Sequence, residues 1–398
     1  MPNVTVLGAG LVGSVIARDL AVDDALHVTV VDVDADALLR ISAREGSRIS
    51  TRKADLRDRE QVRNIVRGAD LVVGAVPGWL GYAVLHEVIA ANKSFVDISF
   101  MPEDPRPLSE SAEAAGVVGL VDFGVAPGMS NVLATRAVRS MDRAEDIRIY
   151  VGGLPQVRRF PYEYAAVFSP ADVIEEYTRP ARLVEHGHIV VKPALSEIEP
   201  LEFDGVGTLE AFNTDGLRSL MWTLDVPNMR EKTLRYPGHA TRMRMLRETG
   251  FLSSRHVRVG NVDVRPVDVS LALLASAWKL PEGEGDITVM RVEARGVRGG
   301  NPVREAYDLL DRYDPRAKTT SMARTTGFPC AIAARMLLSG KLSLKPGVHF
   351  PEAVASEKPA LEHLLDELSR RGVTFRHTTG EQTDVRQPGG PRRLPTVS

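Results

Sequence analysis

The feature that most constrains this chain is a glycine-spaced run near its start, Gly8-Ala9-Gly10-Leu11-Val12-Gly13. It follows the apolar segment Asn3–Leu7 and precedes Ser14–Leu20, so the order is strand, tight turn and helix. In this order the first glycine permits the turn, the second leaves room for a pyrophosphate, and the third lets the helix pack on the strand. The run therefore indicates a dinucleotide site; the alternative is a plain strand-to-helix turn that uses glycine for backbone freedom.

An acidic residue at the end of the next apolar run selects between two cofactors. His27–Val31 is followed directly by Asp32. A carboxylate at this point accepts hydrogen bonds from the ribose 2′-OH of NAD and repels the 2′-phosphate of NADP. Residues Val33–Asp36 contain no arginine that would hold that phosphate. The sequence therefore favours NAD.

Strand and helix patterns alternate up to Val117–Asp122, which is the sixth predicted strand. Such alternation predicts a parallel, doubly wound sheet, and ligands bind at the carboxyl ends of its strands. The residues at those ends are expected to line one crevice: Asp32, Asp55, Ala75-Val76-Pro77, Asp97–Ser99 and Phe123–Gly128.

Composition excludes several classes of protein. The chain has 398 residues, which is enough for two domains, and its 50 basic residues are balanced by 52 acidic ones. This balance argues against nucleic-acid binding. No apolar stretch could span a bilayer and no leader pattern is visible, so a cytoplasmic protein is expected. The nine histidines lack metal-ligand spacing, so no metal is expected, and Cys330 is interpreted as a small buried residue.

The pattern changes after Val125–Gly128. We predict strands at Asp146–Val151, Ile189–Val191, Ser270–Trp278 and Ile287–Ala294, and a turn at Gly152–Pro155. Thr319–Leu338 and Ser356–Arg371 are helical in pattern, and Val373–Phe375 is a candidate edge strand. The predicted domains are residues 1–125 (nucleotide-binding), 126–318 (an inserted α+β substrate domain), 319–380 (helices that pack back on the first domain) and 381–398 (a disordered tail).

Five further segments carry a resemblance to a known family: Asp122–Asn131, Tyr150–Pro155, Glu210–Arg218, Glu231–Ala240 and Ser321–Pro329. With the glycine run, they make the chain similar to the saccharopine dehydrogenase-like oxidoreductases up to about residue 378. Within that family the chain looks most like the lysine 6-dehydrogenases. The resemblance implies an α/β fold with an N-terminal Rossmann domain, an inserted α+β domain and a C-terminal return. It also implies a homodimer.

The resemblance also implies where the ligands bind. The expected cofactor residues are Gly8, Ala9, Gly10, Leu11, Val12, Gly13, Asp32, Val33, Asp55, Leu56, Ala75, Val76, Pro77, Asp97, Ile98, Gly124, Val125, Ala126, Pro127 and Ser169. The expected substrate residues are Ser99, Phe100, Ala126, Thr214, Asp215, Thr233, Arg235 and His239. One departure is informative, because saccharopine-forming reductases commonly carry Asp-Pro-Gly where this chain has Ala126-Pro127-Gly128.

Three residues are the candidates for catalysis. His239 has the side-chain type that suits a general base near neutral pH, although it could equally hold the Pro237-Gly238 turn. Arg235 matches the geometry of a substrate carboxylate, or else forms a salt bridge. Asp97, like Asp215, is a candidate for positioning the distal amine, or else for capping and turn roles.

The leading hypothesis is NAD-dependent oxidative deamination of L-lysine, or a close analogue, at its 6-amino group. The products are allysine, which cyclises to piperideine carboxylate, with ammonia and NADH. The first alternative is imine reduction of the saccharopine or carboxynorspermidine type, which the residues at Asp32 and Ala126 argue against in its NADP saccharopine form. The second alternative is a non-catalytic regulator that binds NAD, because a fold does not by itself imply a reaction.

Overall fold

The computed structural model describes residues 1–281 and 283–381. Its strands, in chain order, are β1 (Asn3–Leu7), β2 (His27–Asp32), β3 (Ile49–Lys53), β4 (Leu71–Gly74), β5 (Phe95–Asp97), β6 (Val118–Leu120), β7 (Arg143–Pro155), β8 (Ala181–Glu185), β9 (His188–Lys192), β10 (Glu199–Phe203), β11 (Gly207–Asn213), β12 (Met229–Arg235), β13 (Val257–Val259), β14 (Val262–Val264), β15 (Asp286–Arg298), β16 (Asn301–Arg312), β17 (Gly347–His349) and β18 (Arg376–Glu381).

The helices, in chain order, are α1 (Leu11–Leu20), α2 (Ala35–Glu45), α3 (Arg59–Val66), α4 (Gly78–Ala90), α5 (Leu108–Ala114), α6 (Met129–Arg139), α7 (Pro170–Thr178), α8 (Leu220–Thr223), α9 (His239–Glu248), α10 (Pro266–Ala277), α11 (Ser321–Leu338), α12 (Pro351–Ser356) and α13 (Lys358–Arg370). A short 3₁₀ helix spans Gly46–Arg48.

The first sheet is the predicted parallel, doubly wound sheet, and this prediction is confirmed. Its order is β17-β6-β5-β4-β1-β2-β3, and every adjacent pair is parallel. Its central strands are buried on both faces, because helices cover the sheet on each side. Local signals start the helices: Asp34 and Asp58 cap α2 and α3 by accepting backbone N–H bonds. All carboxyl ends therefore meet along one edge.

The second sheet is mostly antiparallel. Its main order is β10-β11-β12-β7-β15-β16-β18, with β8 on the end of β12 and β9 on β8. The pair β12 and β7 is the parallel exception, in which Thr233 lies opposite Val151. The prediction of an α/β protein with a mixed second domain is thus correct, and the long hairpin of β15 and β16 forms its centre.

The C-terminal segment returns to both sheets rather than to the first domain alone. Helix α11 packs on α1, and β17 adds the seventh strand to the first sheet beside β6. Strand β18 instead pairs with β16 of the second sheet, where Thr379 lies opposite Glu305. The edge strand expected at Val373–Phe375 therefore begins at Arg376, and Val373–Phe375 form the loop before it.

Two local predictions were wrong for identifiable reasons. Ser270–Trp278 lies in and just after α10, whose side chains Ser270, Leu274 and Trp278 are buried at four-residue spacing. Gly152–Pro155 is the end of β7 and not a turn. A Cβ on Gly152 would lie 2.5 Å from the backbone oxygen of Leu234, so this glycine reflects close strand packing. The predicted disordered tail, 381–398, lies outside the described residues from 382 onward.

Candidate active site

A cavity of about 700 Å³ lies between the carboxyl edge of the first sheet and one face of the second. Its walls combine the glycine run and strand ends of the first domain with α7, β12 and the loop after β11 from the second. Met322 and Thr326 of α11 close one side. The cavity is therefore shared by all three predicted parts of the chain.

The glycine run fits a dinucleotide. A Cβ on Gly8 would stand 2.3 Å from the backbone oxygen of Ala75, and one on Gly13 would stand 2.2 Å from that of Gly8. These two glycines are therefore needed for the contact of turn, helix and strand. Gly10 has nothing within 4 Å of its Cβ position, so the space in front of the helix start is open for a pyrophosphate.

Asp32 lines the cavity at the end of β2, where the second ribose of a dinucleotide would lie. Its carboxylate accepts the backbone N–H of Ala9 at 2.6 Å and that of Asp34 at 2.9 Å. The neighbouring cation, Arg57, is already held by Asp55 through side-chain bonds of 2.6 to 3.0 Å. The side-chain bond from Arg57 lowers the pKa of Asp55 to about 2, so the two charges neutralise one another.

The opposite end of the groove is apolar and tightly built. Gly124-Val125-Ala126-Pro127 line it, facing Val151, Gly153 and Phe168 of the second domain. A Cβ on Gly124 would lie 3.1 Å from the Thr326 side chain, which shows how closely α11 approaches. Ser169 caps α7 by accepting the N–H of Asp172 at 3.4 Å. The nicotinamide ring is expected at this end, because Gly124–Pro127 and Ser169 belong to the predicted cofactor residues.

A buried carboxyl group faces the cavity beyond this apolar end. Glu231 on β12 is 3 % exposed and accepts the Thr214 hydroxyl at 2.6 Å, and Thr214 is 2.8 Å from the hydroxyl of Thr233. A Cβ on Gly216 would stand 2.4 Å from the carboxyl carbon of Glu231, so the glycine makes room for it. Burial raises the pKa of Glu231 to about 8. Within the described residues, no basic side chain pairs with it.

Arg235 also faces the cavity, but its guanidinium is occupied. It donates to Glu176 at 2.6 Å, to the Leu234 carbonyl at 3.0 Å and to the Tyr177 hydroxyl at 3.4 Å. It also lies 4.7 Å from the centre of the Tyr164 ring. Burial alone would lower the pKa of Arg235, but Tyr177, Tyr164 and Glu176 outweigh it and raise the pKa. The arginine therefore holds a fixed positive charge inside the wall.

His239 does not line the cavity, which corrects the prediction of a general base in contact with substrate. It is fully buried at the start of α9, where Nδ1 donates to the Tyr162 carbonyl at 2.9 Å and Nε2 pairs with the Tyr177 hydroxyl at 2.9 Å. Burial, with Arg235 nearby, lowers its pKa to about 3. The ring is neutral at working pH and orients Tyr177 under Arg235.

Asp97 also lies behind the cavity wall, so its predicted catalytic and cofactor contacts are not present. It is fully buried, and its carboxylate accepts the backbone N–H of Ser99 at 2.8 Å and the Ser99 hydroxyl at 3.0 Å. A Cβ on Gly74 would lie 1.9 Å from its Oδ2, so the Asp97 carboxylate lies directly against Gly74 of the neighbouring strand β4. Burial raises its pKa to about 8. Asp97 and Ser99 support the floor of the groove instead.

The remaining predicted residues mostly meet in the cavity. Ala9 is buried behind it, whereas Phe100, Thr214, Thr233 and Asp215 line it along with the other predicted cofactor residues. Asp215 is already bound by Arg182, whose Nε and Nη2 both donate to it at 2.8 Å. Most of the predicted set therefore meets in this one cavity, with His239, Asp97, Ser99 and Ala9 outside its lining.

The charged lining residues that the predicted set lacks include Glu231, Asp172, Glu176 and Arg179. Strand alternation carried a signal for the first, because Glu231, Thr233 and Arg235 are two residues apart on one face of β12. Helical spacing carried a signal for the others, which follow at four- and three-residue intervals on and just after α7. Burial raises the pKa of both Asp172 and Glu176.

The described residues offer neither a metal-binding cluster nor a bilayer-spanning helix. No group of three or more His, Cys, Asp or Glu side chains among them is arranged to hold a metal ion. Across the same residues, no helix is both long enough and apolar enough to cross a bilayer.

Family models match almost the whole described chain. The model described as "Saccharopine dehydrogenase NADP binding domain" matches residues 4–120, and "Saccharopine dehydrogenase C-terminal domain" matches residues 124–373. This chain belongs to the saccharopine dehydrogenase family. The shared domains establish it as a member of an oxidoreductase family with a nicotinamide dinucleotide site in its first domain.

Individual relatives are distant. The chain is 23 % identical over 441 residues to the mitochondrial alpha-aminoadipic semialdehyde synthase of Bos taurus, covering 92 % of this chain and 47 % of that protein. The chain thus spans about half the length of the curated relatives it matches first. It is 23 % identical over 377 residues to carboxynorspermidine synthase of Vibrio alginolyticus, covering 84 % of this chain and 88 % of that protein.

A solved structure supports the fold. Apo saccharopine dehydrogenase (L-Glu forming) from Saccharomyces cerevisiae superposes with a TM-score of 0.78, at 18 % sequence identity, covering 96 % of this chain and all of that one. At this identity the likeness shows the shared architecture of two sheets around one groove, and nothing about substrate.

Proposed function

We propose that this protein is an NAD-dependent dehydrogenase that oxidises the 6-amino group of L-lysine or a close analogue. One observation carries the proposal. Glu231 is a buried carboxyl group that faces the cavity, has hydroxyl partners but no cationic partner among the described residues, and lies beyond the nicotinamide end of the groove. A buried carboxylate without a counter-ion is a site for an ammonium group.

The charge of the surrounding wall supports an amine over a polycarboxylate. Asp172, Glu175, Glu176, Asp215 and Glu231 all line the cavity, whereas Arg179 and Arg235 are the basic residues of the lining at this end. Saccharopine carries three carboxylates, for which this end of the cavity offers two arginines, one of them already held by Glu176. Lysine carries two ammonium groups and one carboxylate, so it needs only one cationic partner. The balance of charge therefore favours the smaller, cationic substrate.

The proposed chemistry gives each residue a limited task. The carboxylate of Glu231 removes a proton from the 6-ammonium group, because only the neutral amine readily loses hydride from the adjacent carbon. NAD, when bound, accepts that hydride. Water then adds to the resulting iminium carbon and ammonia leaves, giving the aldehyde. Thr214 and Thr233 hold Glu231 in place, and the apolar wall at Gly124–Pro127 excludes bulk water.

NAD rather than NADP is part of the same proposal. The family model for residues 4–120 is described as NADP-binding, so the choice rests on this chain's own residues. Asp32 places a negative charge at the ribose end, and the nearby Arg57 is neutralised by Asp55. Asp32 therefore favours a ribose 2′-OH over a 2′-phosphate at this point.

The decisive experiment mixes purified protein with L-lysine and NAD. We expect NADH absorbance to rise with stoichiometric ammonia, and we expect Glu231→Gln to lower kcat by about 10²- to 10⁴-fold, the usual range for loss of a general base. Because the base acts only when ionised and its pKa is about 8, kcat/KM should fall about tenfold for each pH unit below 8. The matched control is Glu202→Gln, an exposed glutamate on β10, which should leave both values unchanged.

The alternatives give different outcomes in this assay. The match to carboxynorspermidine synthase favours, as the second candidate, reductive joining of an amine and an aldehyde. That reaction would appear as NADH or NADPH consumption only when an amine and an oxo compound are both present. Cofactor binding without turnover of any amine would instead indicate a regulator. Either result would exclude lysine deamination.

A further inference from the structure

An arginine at the outer end of the cavity has donors that nothing satisfies. Arg179 follows α7 directly, and its side chain is 12 % exposed. Its Nε and Nη1 are buried and have no hydrogen-bond partner among the described residues. Its Nη2 makes only long contacts, to the Phe100 carbonyl at 3.3 Å and to Glu175 at 3.4 Å. A buried guanidinium left in this state is costly unless a ligand completes it.

The other buried arginines near the cavity differ from Arg179. Arg218 is held by both oxygens of Asp122 at 2.9 and 3.1 Å, and Arg235 is held by Glu176 at 2.6 Å. In each of these two the partners outweigh burial and raise the pKa. Burial instead lowers the pKa of Arg179, because the charges around it compensate too little. Of the three, only Arg179 is short of negative charge.

The position of Arg179 suits the distal end of a long substrate. A second cavity, of about 460 Å³, shares Glu175, Arg179 and Asp215 with the first. Arg179 therefore stands where the two spaces meet, with its guanidinium carbon 4.3 Å from the Phe100 ring centre. Asp215 lines the first cavity together with Glu231 and the second together with Arg179. It does not repel an anion strongly, because Arg182 neutralises it.

We propose that Arg179 binds the α-carboxylate of the amino-acid substrate and so sets specificity for amino acids over simple amines. The proposal rests on lysine-type oxidation and names the group that the far end of the site recognises. It also moves the carboxylate from Arg235, which the sequence favoured, because each of the three guanidinium nitrogens of Arg235 already has a hydrogen-bond partner. The substrate then lies with its amine at Glu231 and its carboxylate at Arg179.

The test compares two ligands that differ only at the proposed contact. 6-Aminohexanoate is lysine without its α-amino group, and pentylamine is the same chain without the carboxylate. Titration calorimetry with saturating NADH measures both dissociation constants without turnover. The variant Arg179→Met keeps an unbranched apolar side chain beside Phe100. We expect it to raise the dissociation constant of 6-aminohexanoate by about 10- to 100-fold and to change that of pentylamine by less than about twofold. Arg179→Lys should lose less affinity for 6-aminohexanoate, because it keeps the positive charge.

Controls and contrary outcomes are distinct. Arg230→Gln removes a cation from the face of β12 that points away from the cavity, and should leave both ligands unchanged. The assignment of Arg179 is overturned if Arg179→Met weakens the binding of both ligands equally or of neither. It is also overturned if Arg182→Gln, and not Arg179→Met, selectively weakens the binding of 6-aminohexanoate. If the wild-type protein binds pentylamine as tightly as 6-aminohexanoate, amine recognition stands and the Arg179 proposal fails. If it binds neither, both proposals fail.

Discussion

Two carboxyl groups of this protein have the same raised pKa and different surroundings. Burial brings both Asp97 and Glu231 to about 8, yet only Glu231 lines the cavity. The carboxylate of Asp97 accepts two hydrogen bonds from Ser99 and lies beside β4, outside the cavity lining. A shifted pKa therefore marks a functional residue only when the group can also reach the substrate. The same reasoning excludes His239 as the general base, because both of its ring nitrogens are hydrogen-bonded inside the core.

The cofactor preference can be tested at a single residue. Asp32→Ala removes the carboxylate at the ribose end, and we expect the Kd for NAD to rise by about tenfold or more, as for loss of a charged hydrogen bond. The ratio of NAD to NADP affinity should narrow, because the repulsion of the 2′-phosphate goes with it. Fluorescence titration with NADH and NADPH measures both effects.

A neighbouring aspartate serves as the control for that change. Asp34 caps α2 and does not line the cavity. Asp34→Ala should therefore lower the free energy of unfolding by about 1 kcal/mol, the usual effect of losing a cap, without changing the Kd for NAD. Equal effects of the two variants on NAD binding would show that Asp32 only supports the turn at Ala9.

At the scale of elements, the sequence predicted what local patterns encode. Most of the parallel strands were predictable because they are short apolar runs followed by a helix, and the glycine run because its spacing is dictated by backbone contact. Strand β3 is one exception, since it is mostly polar and exposed. Strand β17 was not predictable, because a three-residue strand from the far end of the chain exists only through its pairing with β6. Most of the predicted site residues meet in one cavity. Asp97 and His239 were included because of their residue type, which does not show whether a side chain is buried away from the cavity.

The junction of α1 with the C-terminal helices offers a test at this scale. Asp19, near the end of α1, pairs with Arg335 of α11 and accepts from Arg371 at 2.7 Å. Asp19→Ala leaves Arg335 without its anion and Arg371 with Glu367 alone, and we expect the free energy of unfolding to fall by about 1–3 kcal/mol. The Kd for NAD should change little, because the phosphate end of α1 is at its other terminus. Urea unfolding and NADH titration measure the two quantities.

The exposed Asp24 lies in the loop that follows α1 and provides the control. Asp24→Ala should change stability by less than about 0.5 kcal/mol, as for most surface substitutions. If Asp19→Ala is equally harmless, the C-terminal return is held by apolar packing of α11 on α1 and not by these ion pairs.

At the scale of the whole molecule, the site exists only where two sheets meet, so the link between them matters. Asp122 follows β6 of the first sheet, and Arg218 lies in the loop after β11 of the second. Both side chains are almost fully buried, and Arg218 also donates to the Met101 carbonyl at 2.9 Å. This pair fixes the loop that carries Thr214 and Gly216 against the nucleotide domain. The position of Thr214, the hydroxyl partner of Glu231, therefore depends on a charge pair outside the cavity.

Breaking that pair should have a larger effect than removing both of its charges. Arg218→Met leaves the Asp122 carboxylate buried without its partner, so we expect a loss of about 3–5 kcal/mol in the free energy of unfolding. Adding Asp122→Asn, which tolerates the positive φ of 56° at this position, removes the stranded charge and should recover part of that loss. Urea unfolding of the single and double variants, with lysine kcat/KM beside it, measures the coupling. Equal stability of the single and double variants would mean that the two domains are held by their apolar contact alone.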